Sequence, residues 1–188
     1  MTNDAALLVE AATLSDAAFL PGIEARAAAL FDPQDLPSAI AAETTSADDY
    51  AIAAGEGRVL IARLEDGSVA GFALMLRVDG SSHLEELDVD PAHGRQGIGR
   101  ALVARAIRWA EERGDTAITL STFAHVPWNA PFYATMGFEV LPRSQLPEAL
   151  LAIRKDEEAM GFDVSKRVVM RCRTALSEAP SRNPDALR

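Results

Sequence analysis

Apolar and polar positions alternate along this chain in two rhythms, one with the period of a strand and one with that of a helix. "LLVEAAT" (7–13) reads as a first strand, and Ser15 and Asp16 are candidate N-caps for a helix over 16–31. Pro33 and Pro37 break that pattern, and Ala-rich pieces up to Gly55 and Gly57 predict one or two further helices. Two apolar runs over 58–80 flank Asp66-Gly67, the signature of a β-hairpin. Gly80, Ser81 and Ser82 mark the next turn, and "HLEELDVD" (83–90) is a third successive strand, stopped by Pro91. From 98 to 114 the spacing of Ile98, Leu102, Ala106, Ile107 and Ala110 is helical, and Gly114 ends the run. "AITLSTF" (117–123) is a strand. A short helix follows, with Asn129 as its cap, Pro131 in its first turn and Gly137 at its end. "FEVL", the run 146–161 and "RVVMRCR" (167–173) predict a strand, a helix and a last strand.

The expected layout is a mixed α/β sheet: sequential antiparallel strands first, then helices alternating with strands, with a parallel right-handed crossover at 83–123. No repeat or linker divides the chain, so 1–174 is expected to be one domain. The polar, Pro-containing stretch 175–188 is expected to be a disordered tail. The 188 residues are 48% hydrophobic, enough for one core. A net charge of −10 lacks the basic footprint of a nucleic-acid binder and suits a cationic acceptor. Apolar runs are too short to cross a membrane, and the acidic N-terminus does not read as a signal peptide, so the expected compartment is the cytoplasm. The single cysteine, Cys172, excludes an internal disulfide and reads as a small buried hydrophobe; no metal site is expected.

"HGRQGIGRAL" (93–102) carries the clearest chemistry. Gly97 and Gly99 open a helix directly after a strand, where free backbone N–H groups and the helix dipole can hold phosphate. Gly94 is a third permissive position, and Arg95 and Arg100 can add charged contacts. A Walker loop would end in Gly-Lys-Ser/Thr, but Arg100 and Ala101 follow Gly99. A dinucleotide fingerprint would need a small residue where Leu102 stands. "LDVDPAHGRQGIGRALVARAIRWA" instead resembles the coenzyme A-binding motif of the GNAT superfamily of N-acetyltransferases. One departure is that the motif's Gln/Arg position falls on Gly94. "VPWNAPFYATMGF" (126–138) resembles the superfamily's second coenzyme-facing helix, with Asn129 and Tyr133 ahead of Gly137-Phe138.

The resemblance implies a mostly antiparallel sheet of about six to seven strands, helices on both faces and a splayed central strand pair. It implies acetyl-CoA as co-substrate and direct acetyl transfer to a primary amine, on a small molecule or a peptide. A non-catalytic acyl-CoA sensor of the same fold is the alternative. By resemblance, the edge Leu87, Asp88 and Val89 would pair with the pantetheine arm, with the Val89 N–H facing the thioester oxygen. Arg95, Gln96, Gly97, Ile98, Gly99 and Arg100 would hold the pyrophosphate, and Asn129 would hold the pantetheine or position its helix. Alone, Tyr133 would read as a core aromatic; within the motif it is the candidate general acid for the leaving thiolate. His83 and Glu85, two apart on a strand, share a face and form the candidate base pair; Glu86 faces the other way unless a bulge shifts the register. Glu24 and Arg26 stand out on the first helix, and His125 and Trp128 precede the tyrosine helix. The resemblance also allows a homodimer.

Overall fold

A computed structural model describes residues 7–37, 40 and 44–178 of the chain. The elements are β1 (Leu8–Ala11), α1 (Leu20–Ala28), α2 (Ala47–Gly55), β2 (Val59–Arg63), β3 (Val69–Val78), β4 (Ser81–Val89) and α3 (Ile98–Glu112). They continue with β5 (Ala117–Phe123), α4 (Ala130–Ala134), β6 (Glu139–Val140), α5 (Glu148–Ala159) and β7 (Arg167–Arg173). The seven strands form one sheet in the order β1-β2-β3-β4-β5-β7-β6, antiparallel throughout except for the β4–β5 pair. That pair is the expected crossover, because a parallel neighbour requires α3 to carry the chain back.

Helix α3 lays Leu102, Val103, Ala106 and Trp109 on one face of the sheet, against Leu60, Met75, Leu84 and Leu120. On the other face α1 and α2 bury Leu20, Ile23 and Tyr50 against Val59, Ile61, Phe72 and Leu74. Leu150 of α5 packs with Val169 at the β7 end. Cys172 is a free, buried thiol, as its apolar surroundings suggested.

Two features of β4 position everything near the site. The first is that its pairing with β5 covers only Ser82–Leu84 against Ile118–Leu120, while its pairing with β3 runs on to Val89 opposite Gly71. Strand β5 leaves with β7, paired as far as Phe123. The central strands therefore splay after Leu84. The second is a bulge. Leu74 pairs with Glu86 and Met75 with Leu84, so Glu85 is an extra residue. One inserted residue flips every later side chain to the opposite face. Leu84, Leu87 and Val89 consequently share the α3 side, and Glu86 and Asp88 turn to the α1–α2 side, opposite Leu74 and Phe72.

The local chemistry departs from the sequence reading in four places. The helix expected over 16–31 is a 3-10 turn (Asp16–Phe19) leading into α1. Ser15 makes no side-chain cap, and the Asp16 carboxylate instead accepts from Thr13 and Arg63. The turn before β4 is Asp79-Gly80, both with positive φ (48° and 75°), so Ser81 and Ser82 already belong to the strand. The expected tail begins with a 3-10 turn over Ala175–Glu178, and 179–188 lie outside the described residues, as do 38–39 and 41–43 of the Ala-rich stretch. Among the described residues no helix is long and apolar enough to cross a membrane.

Gly71 is fixed by close approach. A Cβ there would lie 2.6 Å from the Asp88 carbonyl oxygen and 3.2 Å from Val89 Cα. Backbone cannot yield that much without moving the end of β4. Gly71→Ala should cost about 1–3 kcal/mol, the range typical of overpacking, read as a lowered midpoint in urea denaturation. A midpoint equal to wild type would contradict the tight β3–β4 contact.

Candidate active site

The splay opens into a cleft of about 380 Å³. Strand β4 contributes Leu87, Asp88 and Val89 to its lining. The Asp90 N–H donates to Ala70 of β3 at 2.9 Å, and N–H directions alternate along a strand. The N–H groups of Leu87 and Val89 therefore point away from β3, towards the gap that β5 has vacated.

Arg95, Gly97, Ile98, Gly99 and Arg100 line the next wall; Gln96, expected with them, does not. Pro91–His93 make a 3-10 turn, capped by Asp90 Oδ1 accepting from the Ala92 N–H at 3.0 Å. Gly94 has φ −60°, open to any residue, so the permissiveness expected of it is unused. The left-handed positions are Arg95 (φ 61°) and Gly97 (φ 84°). Gly97 is the N-cap of α3 and has no side chain to offer, and the first helical bond is Ala101 N–H to Gly97 O at 3.0 Å. The N–H groups of Ile98, Gly99 and Arg100 thus have no partner within the helix. No acidic residue occupies this first turn. A Cβ on Gly99 would make only ordinary contacts, 3.7 Å to Phe132 and 3.8 Å to Val89. The fold itself therefore tolerates a side chain there. What glycine provides is room on the cleft side.

Helix α4 supplies Asn129, Phe132 and Tyr133. Asn129 holds the N-cap position but makes no capping bond, contrary to expectation, so its amide is free to serve the cleft. Tyr133 is 8% exposed, and its ring packs edge-on against Phe132 and Phe138. Burial, and then the Asp88 carboxyl, hold its phenol well above the ordinary value. It therefore stays protonated at working pH. Arg100 reaches across to Thr135 Oγ1 at 3.2 Å, tying α3 to α4.

An acidic group sits on the α1–α2 side of β4. The Tyr50 hydroxyl lies 2.7 Å from Glu86 and 2.8 Å from Glu24. Burial pushes the Glu86 carboxyl up to about 7 against the opposing Tyr50 hydrogen bond, and neighbouring Glu24 adds to the rise. Asp88 is held well above the usual carboxylate range by burial, then by Glu86 and Glu24. Arg26 pairs with Asp90 at 2.6 Å, at the end of β4.

The expected base pair is brought together, but elsewhere. His83 Nε2 and Glu85 Oε2 are 3.6 Å apart, while His83 Nδ1 bonds to Thr119 Oγ1 at 2.8 Å. Neither lines the cleft, and nor does Glu86, although its strand neighbours Leu87 and Asp88 do. His83 is 1% exposed, and burial drives its pKa to about 4, so it is a neutral imidazole bonded to β5. Glu85 is the bulge residue itself. Trp128 lines the cleft and stacks edge-on to Phe31, whereas His125 is turned to Asp35 at 2.8 Å. The sequence reading missed Tyr50 of the acidic group, and in the cleft it missed Phe132 and the wall formed by Ala27, Leu30 and Phe31. Tyr50 could have been suspected as an aromatic with a polar tip inside a small-residue helix.

Comparison with known proteins agrees with this geometry. The acetyltransferase (GNAT) family matches residues 27–138, more than half of the chain. The [ribosomal protein bS18]-alanine N-acetyltransferase of Escherichia coli K12 is 31% identical over 110 residues, spanning 55% of this chain and 74% of that protein. The crystal structure of the E. coli ribosomal-protein-S18-alanine N-acetyltransferase superposes with a TM-score of 0.64 at 24% identity, covering 95% of this chain and 99% of that one. The yncA structure from Salmonella typhimurium, containing acetyl-CoA, gives 0.66 at 18% identity and covers the same shares. With the splayed strand, the bare helix N-terminus and the matched sequence in agreement, the chain belongs to the GNAT family of acetyltransferases.

Proposed function

We propose that the cleft binds acetyl-CoA and that Tyr133 and Glu86 carry the protons of acetyl transfer to a primary amine. The observation that carries this reading is the meeting, in one cleft, of an unpaired strand edge, an unpartnered helix N-terminus and a buried phenol. These residues fit the coenzyme. Leu87 and Val89 offer the edge that an extended arm can join as an added strand. The N–H groups of Ile98, Gly99 and Arg100, with Arg95 beside them, suit a pyrophosphate. Acetyl-CoA supplies the activated thioester when bound.

The Val89 N–H donates to the thioester oxygen, where negative charge grows during attack; fixed donors of this kind are usually a large part of acyl-transfer catalysis. Tyr133 gives its proton to the departing sulfur. Burial raises the phenol's pKa further above that of a thiol, but the same burial disfavours the departing thiolate, which narrows the gap between the two. Glu86 takes the proton of the amine, and a carboxyl titrating near 7 is matched to that task. Its place on the α1–α2 face, next to Asp88 in the cleft wall, favours it over Glu85 and His83. The uncompensated acids on this side suit a cationic amine. The alanine of a ribosomal protein, the acceptor of the E. coli relative, makes an alanyl peptide the first acceptor to assay.

Gly99→Val fills the room on the cleft side without asking for a left-handed backbone, unlike a substitution at Gly97. It should raise the acetyl-CoA Kd at least tenfold, about 1.4 kcal/mol, by calorimetry on a protein with an unchanged melt; unaltered affinity would remove the loop from phosphate binding. Tyr133→Phe should lower kcat about 100-fold with acetyl-CoA affinity within a few-fold, and full turnover in the folded variant would exclude the phenol from proton transfer. Glu86→Gln should lose turnover, and it also reports on stability. A carboxyl raised from 4.5 to about 7 by folding gives its full stabilisation below pH 4.5 and loses it as pH climbs through 7. Melting temperatures should therefore move in favour of Glu86→Gln between pH 5 and 8, and a constant difference would show that the Glu86 charge is not buried.

A further inference from the structure

Tyr50 has none of its surface exposed, and its ring packs edge-on against Phe72 at 5.2 Å. Its hydroxyl oxygen stands between two carboxyls, 2.8 Å from Glu24 Oε2 and 2.7 Å from Glu86 Oε2. A phenol has one proton to donate. The carboxyl that does not receive it can hold so short a distance only by donating a proton of its own. Three oxygens in a row thus hold two protons. The Thr45 backbone N–H fixes the order, because it donates to Glu24 Oε2 at 2.9 Å. That oxygen receives two donors and is the charged end, so Glu86 carries the second proton. The groups acting on Glu86 are Glu24 from α1, Tyr50 from α2, the Thr45 hydroxyl at 3.4 Å, and Glu85 and Asp88 on its own strand. All are carboxyls or hydroxyls.

We propose that Tyr50 is a proton conduit, passing the proton that Glu86 takes from the acceptor amine on to Glu24 and the surface. This rests on the assignment of Glu86 as base. As the Glu86 O–H bond breaks, its proton bonds to the Tyr50 oxygen. The Tyr50 O–H bond breaks in turn, and that proton bonds to Glu24 Oε2. Tyr50 remains a neutral phenol, now donating to Glu86, which is again a carboxylate. Half-buried Glu24 then releases its proton to water, keeps the Thr45 N–H as a donor to its Oε2, and draws back from Tyr50, whose single proton now serves Glu86. No phenolate forms, as burial among carboxylates requires. Tyr50 and Glu24 are positioning residues: they act through Glu86.

The test is carboxyl-carbon NMR on the full chain labelled with 13C-glutamate, without substrate. Groups that share a proton titrate together, so Glu24 and Glu86 should show the same two midpoints in wild type. In Tyr50→Phe each should follow a single midpoint of its own. Independent single midpoints in wild type overturn the conduit. Glu24→Gln keeps the shape but cannot take a proton, and it covers the case in which Tyr50→Phe fails to fold. With an alanyl peptide as acceptor, Tyr50→Phe and Glu24→Gln should each lower kcat about tenfold at little change in KM, with a larger solvent deuterium isotope effect. Added imidazole should restore part of the loss in Glu24→Gln. Wild-type kcat in both overturns the conduit. Glu86→Gln separates the two assignments: wild-type turnover there defeats the base, whereas loss in Glu86→Gln alone leaves the base standing and defeats the conduit.

Discussion

Beyond Leu84, β4 keeps its hydrogen bonds to β3 and has none from β5. Buried backbone N–H and C=O groups need partners, and an unmet one costs as much as a lost hydrogen bond. The edge left open beyond Leu84 is half-buried at a cleft, so its outward groups are offered to an extended ligand. The surrounding elements are arranged around that edge. Helix α3 starts at the same gap with unpartnered amides, α4 closes it with Tyr133, and Ala27 of α1 and Leu30 just beyond that helix wall it. Gly71 lets β3 hold the open segment of β4 closely from the other side.

The bulge at Glu85 gives the open segment two different sides. Leu87 and Val89 join the apolar core beneath α3, beside the positive end of the helix and Arg95. Glu86 and Asp88 turn the other way, into a group of acids with no cation among the residues acting on them. On the proposed function, phosphate chemistry and amine chemistry would thus be separated by the thickness of one strand. The thioester would lie where the two meet, at Val89. The raised pKa of Glu86 follows from the same placement, because an ionised carboxylate loses more water there than Tyr50 alone returns.

Much of this was legible in the sequence, and the reasons for the gaps are physical. Strand β5, helix α3 and the Asp66-Gly67 hairpin follow from periodicity and turn chemistry, which are local. The glycine loop and the Asn129–Tyr133 helix are also local, and all but one of the residues expected at the coenzyme site line the cleft. Strict alternation puts His83 and Glu85 on one face and Glu86 on the other, which is why Glu86, the base proposed here, did not stand out beside them. A single extra residue cancels that rule, and it is set by pairing with Leu74 and Met75 rather than by β4 itself. The Glu24–Tyr50–Glu86 group was out of reach for a related reason. Its members lie 26 and 36 residues apart and meet only when α1 and α2 are laid on the sheet. Gly94 and Ser15 carried the residue types of their expected roles, but the backbone used other atoms.

The central claim is that the open edge of β4 and the first turn of α3 receive acetyl-CoA together. Amide hydrogen exchange resolved by NMR, with and without acetyl-CoA, tests it most directly. The account predicts that the N–H groups of Leu87, Val89, Gly99 and Arg100 exchange quickly in the free protein and become protected together on addition of acetyl-CoA, while Asp90, already bonded to Ala70, is unchanged. Saturating acetyl-CoA that leaves Leu87 and Val89 exchanging at their free rates would contradict it.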